Sequence, residues 1–518
     1  MKKVVSISLI ATLILYLFLL PRYLLIDDVV ALYIFPVVLF GGISTIIYGV
    51  KRIFKQVSYG RRIQRSLVVA CAFQLLMAGL VSWSLTPRYF AREKVVADID
   101  YAVRVMEDVH PNLYATISKK EFDAATDSLK RTLPVKVSHV EAYKILRKVF
   151  AQIRDGHTGA GWNFSYNPFS ILFRKTLPYR LAVEGNRLFV VQNNFYRKNI
   201  PIGSEILKIN GHPADQCIRQ ISKLISYENT PFRNDLLSSP GLWALWNNFH
   251  DFEITYKPVG SDIPRTIRTS GGLISNLMAL RKNIGTDYTF RVLPGNIGLI
   301  NFNHFRHPEK FKVFLDSTFR SIRDKNVTDL IIDIRRNGGG NSMLGNELMQ
   351  YISPNSFRMT DSIQIKISNE VMERNQLAWI DTAQYKPGMV YHYRDTSNIK
   401  LRQNPLRFSG NTYLLIGGKT YSSATLFTSA FQCFHAGKII GTETGGLTVC
   451  YGDVYTFLLP NTKYNMRVSY KKFFNAGGID NGRGIIPDYV VGNSFEDDRR
   501  GIDRVMEYTV QLIEQRRN

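Results

Sequence analysis

The stretch Thr420-Tyr-Ser-Ser-Ala424 ends a run that starts at Gly417-Gly-Lys-Thr, and two chemistries compete for it. A phosphate-binding loop needs Gly-x-x-x-x-Gly-Lys-Ser/Thr. The position of its first glycine is Tyr413, so the pattern fails. The second chemistry is a hydroxyl nucleophile. A buried strand, Tyr413–Ile416, leads through a short turn to a helix that opens at Ser423 and runs to about His435. A serine there sits at the positive end of the helix dipole, where developing negative charge is stabilised. The competing structural role is a simple N-cap, which serine fills readily.

A second glycine-rich junction bears on that choice. Asn337-Gly-Gly-Gly340 follows the apolar strand of "VTDLIIDIRR" directly. One glycine suffices for a tight turn, whereas three let backbone amides approach a ligand. The amides of Gly338 or Gly339, paired with that of Ala424, are the expected oxyanion donors, and Ser423 is the expected nucleophile. A serine also needs a base. Arg154-Asp-Gly-His157 supplies an imidazole just past a helix end, with Gly156 expected as the helix C-cap.

Four motifs then occur in order: Asp155-Gly-His-Thr158, Ile332-Asp-Ile-Arg-Arg-Asn-Gly-Gly-Gly340, Thr420-Tyr-Ser-Ser-Ala424 and Gly484-Ile-Ile-Pro-Asp488. Together they resemble the tail-specific (C-terminal-processing) serine protease family over roughly residues 93–495. The family's Ser-Lys type needs a lysine near Leu447-Thr448, and none is there. The resemblance is therefore to the His-dependent branch, similar to the tricorn core protease and to retinoid-binding-protein repeats. It implies a Ser423, His157, Asp480 triad, a crotonase/ClpP-like α/β core, protein or peptide substrates and no cofactor. The branch also carries a serine before its histidine, where this chain has Gly156. The alternative on the same fold is a catalytically inactive peptide- or lipid-binding protein.

The surrounding elements must position these groups. Residues 93–154 read as helices, with Val95, Ile99, Met106 and Val109 at helical spacing. Capping boxes begin two of them, at Ser118-Lys-Lys-Glu121 and Ser138-His-Val-Glu141. Residues 165–270 read as a PDZ-like or simply β-rich region, with a hairpin in "YRLAVEGNRLFVV". From 287 to 495 strands and helices alternate, as in a sheet covered by helices, and 496–518 follows as a C-terminal helix.

Three apolar runs open the chain: Val4–Leu20, Val29–Tyr48 and Leu67–Leu85. Their length suits membrane-spanning helices, so residues 1–87 are expected to form a three-helix anchor. The loop Lys51–Ser66 carries six Lys/Arg and no acid, which puts it in the cytoplasm and the catalytic part on the extracytoplasmic side. Net charge is +24, spread without a nucleic-acid-binding signature, so no nucleic-acid partner is expected. The four cysteines form no Cys-x-x-Cys and no two histidines form His-x-x-x-His, so no metal site is indicated.

Overall fold

A computed structural model describes residues 89–161, 175–193, 200–246, 251–273, 286–373, 384–394 and 397–517. The N-terminal layer holds α1 (Arg92–Val109), α2 (Lys119–Arg131) and α3 (His139–Ala151). Both expected capping boxes are present, closing the first turns of α2 and α3. Helix α1 buries Val95, Ile99, Ala102, Met106 and Val109 as one stripe. Its Asp98 is fully buried, yet accepts from the Asn461 and Thr462 amides at 2.9 and 2.6 Å. A buried carboxylate held by amides fastens this helix to a distant turn of the chain.

An antiparallel sheet follows, built from five strands and the two-residue strand His212–Pro213, which pairs with Lys208 and Ile209 off the main path. The five are β1 (Tyr179–Glu184), β2 (Arg187–Asn193), β3 (Glu205–Ile209), β4 (Asp251–Lys257) and β5 (Arg265–Ser270), in the order β5-β4-β3-β2-β1. Strands β1 and β2 form the hairpin that their alternation predicts, turning at Gly185 with φ +61°. Between β3 and β4 lie α4 (Ala214–Ser222) and α5 (Thr230–Leu237).

The central sheet contains β6 (Tyr288–Leu293), β7 (Ile297–Phe302) and, after α6 (Pro308–Asp324), β8 (Asp329–Asp333). Helix α7 (Met343–Ile352) follows, then two strands of another sheet, β9 (Thr360–Lys366) and β10 (Val390–Arg394). The central sheet resumes with β11 (Asn411–Ile416), α8 (Ser423–Cys433) and β12 (Lys438–Gly441). Strands β13 (Val449–Leu458) and β14 (Asn465–Asn475) join β9 and β10, and β15 (Tyr489–Val490) closes the central sheet before α9 (Arg504–Arg517). The central order is β6-β7-β8-β11-β12-β15, with β6 antiparallel and the rest parallel.

Strand β8 shows why it lies centrally. Leu330 and Ile332 point into the core beneath α6, α7 and α8, while Ile331 points to the opposite face beneath α9. A strand covered on both faces reads as an unbroken apolar run. The other sheet runs β10-β9-β14-β13, and Gly159–Ala160 pairs with Met466 and Arg467 of β14. Cys217, Cys433 and Cys450 are unbonded.

One expectation needs correction. The described fold is a mixed α/β arrangement of sheets and helices in which no helix is long and apolar enough to cross a membrane. The three expected spans lie outside the described residues. A multi-pass membrane protein, and the extracytoplasmic placement built on it, therefore has no support in the fold.

Candidate active site

The turn between β11 and α8 has a constrained backbone. Ser422 sits there at φ +56°, ψ −126°. A non-glycine residue in that region is strained, and a strand-to-helix turn of this shape thrusts its side chain clear of the backbone. Thr420 braces the turn from inside, its Oγ1 accepting from the Gly417 amide and donating to the Ile334 carbonyl. Tyr421 donates its amide to the Asn337 carbonyl at 3.1 Å, tying the two glycine-rich junctions together.

The glycines complete the fit. Gly339 has φ +92°, and a Cβ there would lie 2.8 Å from Ser422 Cβ and from the Ser423 amide nitrogen. Buried Asn337 donates to the Phe302 carbonyl at 2.8 Å and accepts from the Gly339 amide at 2.9 Å. The preceding loop is anchored by Arg335, which forks onto Asp333 and Asp503 at 2.7 Å each.

His157 reaches the same place from the end of the N-terminal layer. Its Nε2 lies 3.0 Å from Ser422 Oγ. The expected glycine cap of α3 is replaced: the helix ends at Gln152, and Arg154 takes the left-handed conformation at φ +56°. Asp155, fully buried, shapes the loop by accepting the His157 amide at 2.9 Å and the Ser469 hydroxyl at 2.7 Å, with His110 Nε2 at 3.4 Å. Burial alone would raise its pKa. The hydrogen bond and charge of His110, the charge of His157 and Thr158 outweigh that and hold the carboxyl well below its ordinary value. Burial lowers the His157 pKa against the opposing pull of Asp155, so the ring is neutral at physiological pH.

On its other side His157 meets two groups that the sequence reading did not assign. Tyr421 Oη lies 3.1 Å from Nδ1 and donates to Glu228 Oε1 at 2.7 Å. The Gly156 amide donates to the same Oε1 at 3.0 Å. Glu228 is pushed up to about 8, first by burial and then by the charge of Asp155. It lies between α4 and α5, where Asn229 caps α5 and donates to the Thr444 carbonyl at 3.0 Å.

The residues expected from sequence fall as follows. His157 meets Ser422 rather than Ser423, whose hydroxyl donates to the Gly340 carbonyl at 2.7 Å. Asp480 is 53% exposed and ion-paired with Lys472 at 2.7 Å, not with His157. Gly338 and Gly339 line the turn, but the Gly339 amide is committed to Asn337 and the Ala424 amide to the Tyr421 carbonyl at 3.2 Å. Lys419 is a surface residue paired with Asp235.

Two adjacent serines are indistinguishable by type, and only the strained φ separates them. Glu228 carries no sequence signal at all, since it precedes an ordinary N-cap and lies 193 residues from Tyr421. Oxygen and nitrogen atoms of Asp155, His157 and Glu228 converge within 4.8 Å, close enough for one cation to bridge. Asp155 Oδ1 and Glu228 Oε1 already accept from amides, which favours a hydrogen-bond network there.

Residues 296–491 match peptidase family S41. Mature CPAF complexed with lactacystin shares the fold, with a TM-score of 0.60 at 14% identity over 81% of this chain and 97% of that one. Mature CPAF alone gives the same TM-score and identity, over 81% and 96%. The photosystem II D1 C-terminal processing protease superposes with a TM-score of 0.41 at 14% identity, over 78% and 96%. A homoserine kinase of Corynebacterium jeikeium (strain K411) is 41% identical over 68 residues, 13% of this chain. The chain spans a fifth of that curated relative's length, and nothing of the kinase activity is carried over. The core of this chain, residues 296–491, thus matches peptidase family S41 within a fold shared with mature CPAF, and this core indicates a serine-type peptidase.

Proposed function

We propose that the protein cleaves peptide bonds of proteins or peptides through an acyl-enzyme on Ser422, with His157 as general base and acid. The observation that carries this reading is the 3.0 Å contact of His157 Nε2 with Ser422 Oγ at a serine held with φ +56°. Nε2 takes the hydroxyl proton as Oγ bonds to the scissile carbonyl carbon. The carbonyl oxygen gains the negative charge. Among the described residues the Ser423 and Gly338 amides have no acceptor, whereas those of Gly339 and Ala424 are committed. The free pair is therefore assigned to the oxyanion, with the N-terminus of α8 adding its dipole. Collapse expels the amine, which takes the proton from His157. Water then gives a proton to His157 as its oxygen attacks the ester carbon, and His157 returns that proton to Ser422 Oγ as the carboxylic acid product leaves.

Fluorophosphonate labelling of the full-length protein tests this. Ser422→Ala should abolish labelling, His157→Ala should slow it about 10³-fold or more, and Ser423→Ala should retain it. Labelling lost in Ser423→Ala but kept in Ser422→Ala would return the nucleophile to Ser423. Folded wild type that neither labels nor cleaves casein would favour an inactive binding protein.

A further inference from the structure

We infer that Tyr421 and Glu228 form a phenol–carboxyl relay that sets the His157 tautomer, in place of a carboxylate bound directly to the imidazole. This rests on the Ser422–His157 reading above. Four groups lie in series: Ser422 Oγ to His157 Nε2 at 3.0 Å, Nδ1 to Tyr421 Oη at 3.1 Å, and Oη to Glu228 Oε1 at 2.7 Å. A phenol has one proton. Tyr421 spends it on Glu228, so its oxygen lone pair faces Nδ1. Nδ1 then carries the ring hydrogen, and Nε2 presents a lone pair to Ser422. The direction of one hydrogen bond, Tyr421 to Glu228, thereby fixes the protonation pattern the reaction needs.

The other acids near the ring do not fill this role. Asp155 Oδ1 is 3.9 Å from Nδ1, too far for a hydrogen bond, and already accepts the His157 amide. It contributes charge and loop geometry. Asp480 is exposed and paired with Lys472.

The phenol is also rigidly placed. Its ring stacks on Phe232 with centroids 4.0 Å apart and planes 2° apart, and on the imidazole at 4.9 Å. Gly156 leaves room for it: a Cβ at that position would overlap Tyr421 Oη and Phe232, and would lie 2.9 Å from Glu228 Oε2. A side chain preceding His157 would displace this tyrosine or its stacking partner. The hydroxyl that Gly156 lacks is supplied from the opposite wall, by the residue before the nucleophile.

The relay also has a proton of its own. Burial and the charge of Asp155 hold Glu228 protonated until about pH 8, and its Oε2 has no hydrogen-bond partner. Losing that proton adds a negative charge behind the phenol, which stabilises the imidazolium formed during attack.

Tyr421→Phe and Glu228→Gln in the full-length protein separate positioning from packing. The phenylalanine keeps the stack and removes only the hydroxyl. The readout is the inactivation rate constant with a fluorophosphonate, and its half-saturating concentration, across pH 5.5–9.5. Tyr421→Phe should lower the maximal rate constant roughly 10²-fold and leave half-saturation unchanged. Wild type should show an additional rise centred near pH 8, absent from Glu228→Gln. Wild-type rates in Tyr421→Phe, or a Glu228→Gln profile that keeps the alkaline rise, would overturn the relay. If Tyr421→Phe fails to fold, the Glu228→Gln profile decides alone. Loss of labelling in Ser422→Ala with no effect of either relay variant would leave the nucleophile standing and remove the relay. Absence of labelling in folded wild type would remove the underlying reading.

Discussion

At the residue scale, the site is a set of ordinary groups in unusual surroundings. Glu228 ionises at about 8 in the fold against an ordinary 4.5, so the folded protein keeps a proton that the unfolded chain loses. The stability contributed by that proton is full below pH 4.5 and is lost as pH rises through 8. His157 works the other way, since its lowered pKa removes stability as pH falls below 6.5. Melting temperatures at pH 5 and pH 8.5 should therefore fall more steeply in wild type than in Glu228→Gln, which has no proton to lose. Equal slopes in the two proteins would show that the carboxyl is not protonated in the fold. The residue scale is also where sequence reading reached its limit. His157 was legible because it follows a helix in a small-residue loop. The choice between Ser422 and Ser423 was not, because it depends on which residue takes the positive φ. Asp480 was the acid that the family resemblance implied, with Asp in place of Glu and a slightly different spacing; in the fold it pairs with Lys472 rather than with the imidazole.

At the scale of elements, the apolar runs were the most readable part. The stretch "DLIID" is long enough and apolar enough to be a covered parallel strand, and β8 is one. Helix α8 begins at Ser423 as the strand–turn–helix pattern predicts. Its inner face buries Ala424, Phe427, Ala430 and Phe431 against the sheet. Phe427→Ala should cost about 3–5 kcal/mol in chemical denaturation, because a rigid core refills poorly. A cost under about 1 kcal/mol would mean the helix is not anchored by that face. The same truncation should slow fluorophosphonate labelling at temperatures where the protein is still folded, since the turn before the helix loses its footing. What the pattern did not reveal is the ending of α3. The left-handed residue is Arg154, not the glycine, because Gly156 is reserved for close approach to Tyr421.

At the scale of the whole molecule, the site draws on three separate parts of the chain. The N-terminal layer contributes His157, the central sheet contributes Tyr421 and Ser422, and the loop between α4 and α5 contributes Glu228. Asn229 holds that loop to the core through Thr444 while capping α5. Asn229→Ala should destabilise by about 1 kcal/mol as a lost cap. It should also reduce the labelling rate, which a remote cap of equal energy, such as Ser118, would not do. Parallel labelling of Asn229→Ala and Ser118→Ala checks this, and equal rates would uncouple the loop from catalysis. Sequence order hides such an arrangement, since no periodicity reports that residues 228 and 421 meet.

The pairing of Gly159–Ala160 with β14 has a bearing on when the protein becomes dangerous to its neighbours. The histidine is synthesised early, yet the strand that seats it and the Ser469 hydroxyl that braces Asp155 come more than 300 residues later. A growing chain thus carries its proton acceptor unseated through most of its synthesis. On the acyl-transfer reading, hydrolysis therefore waits until β14 has been made and has paired with Gly159–Ala160.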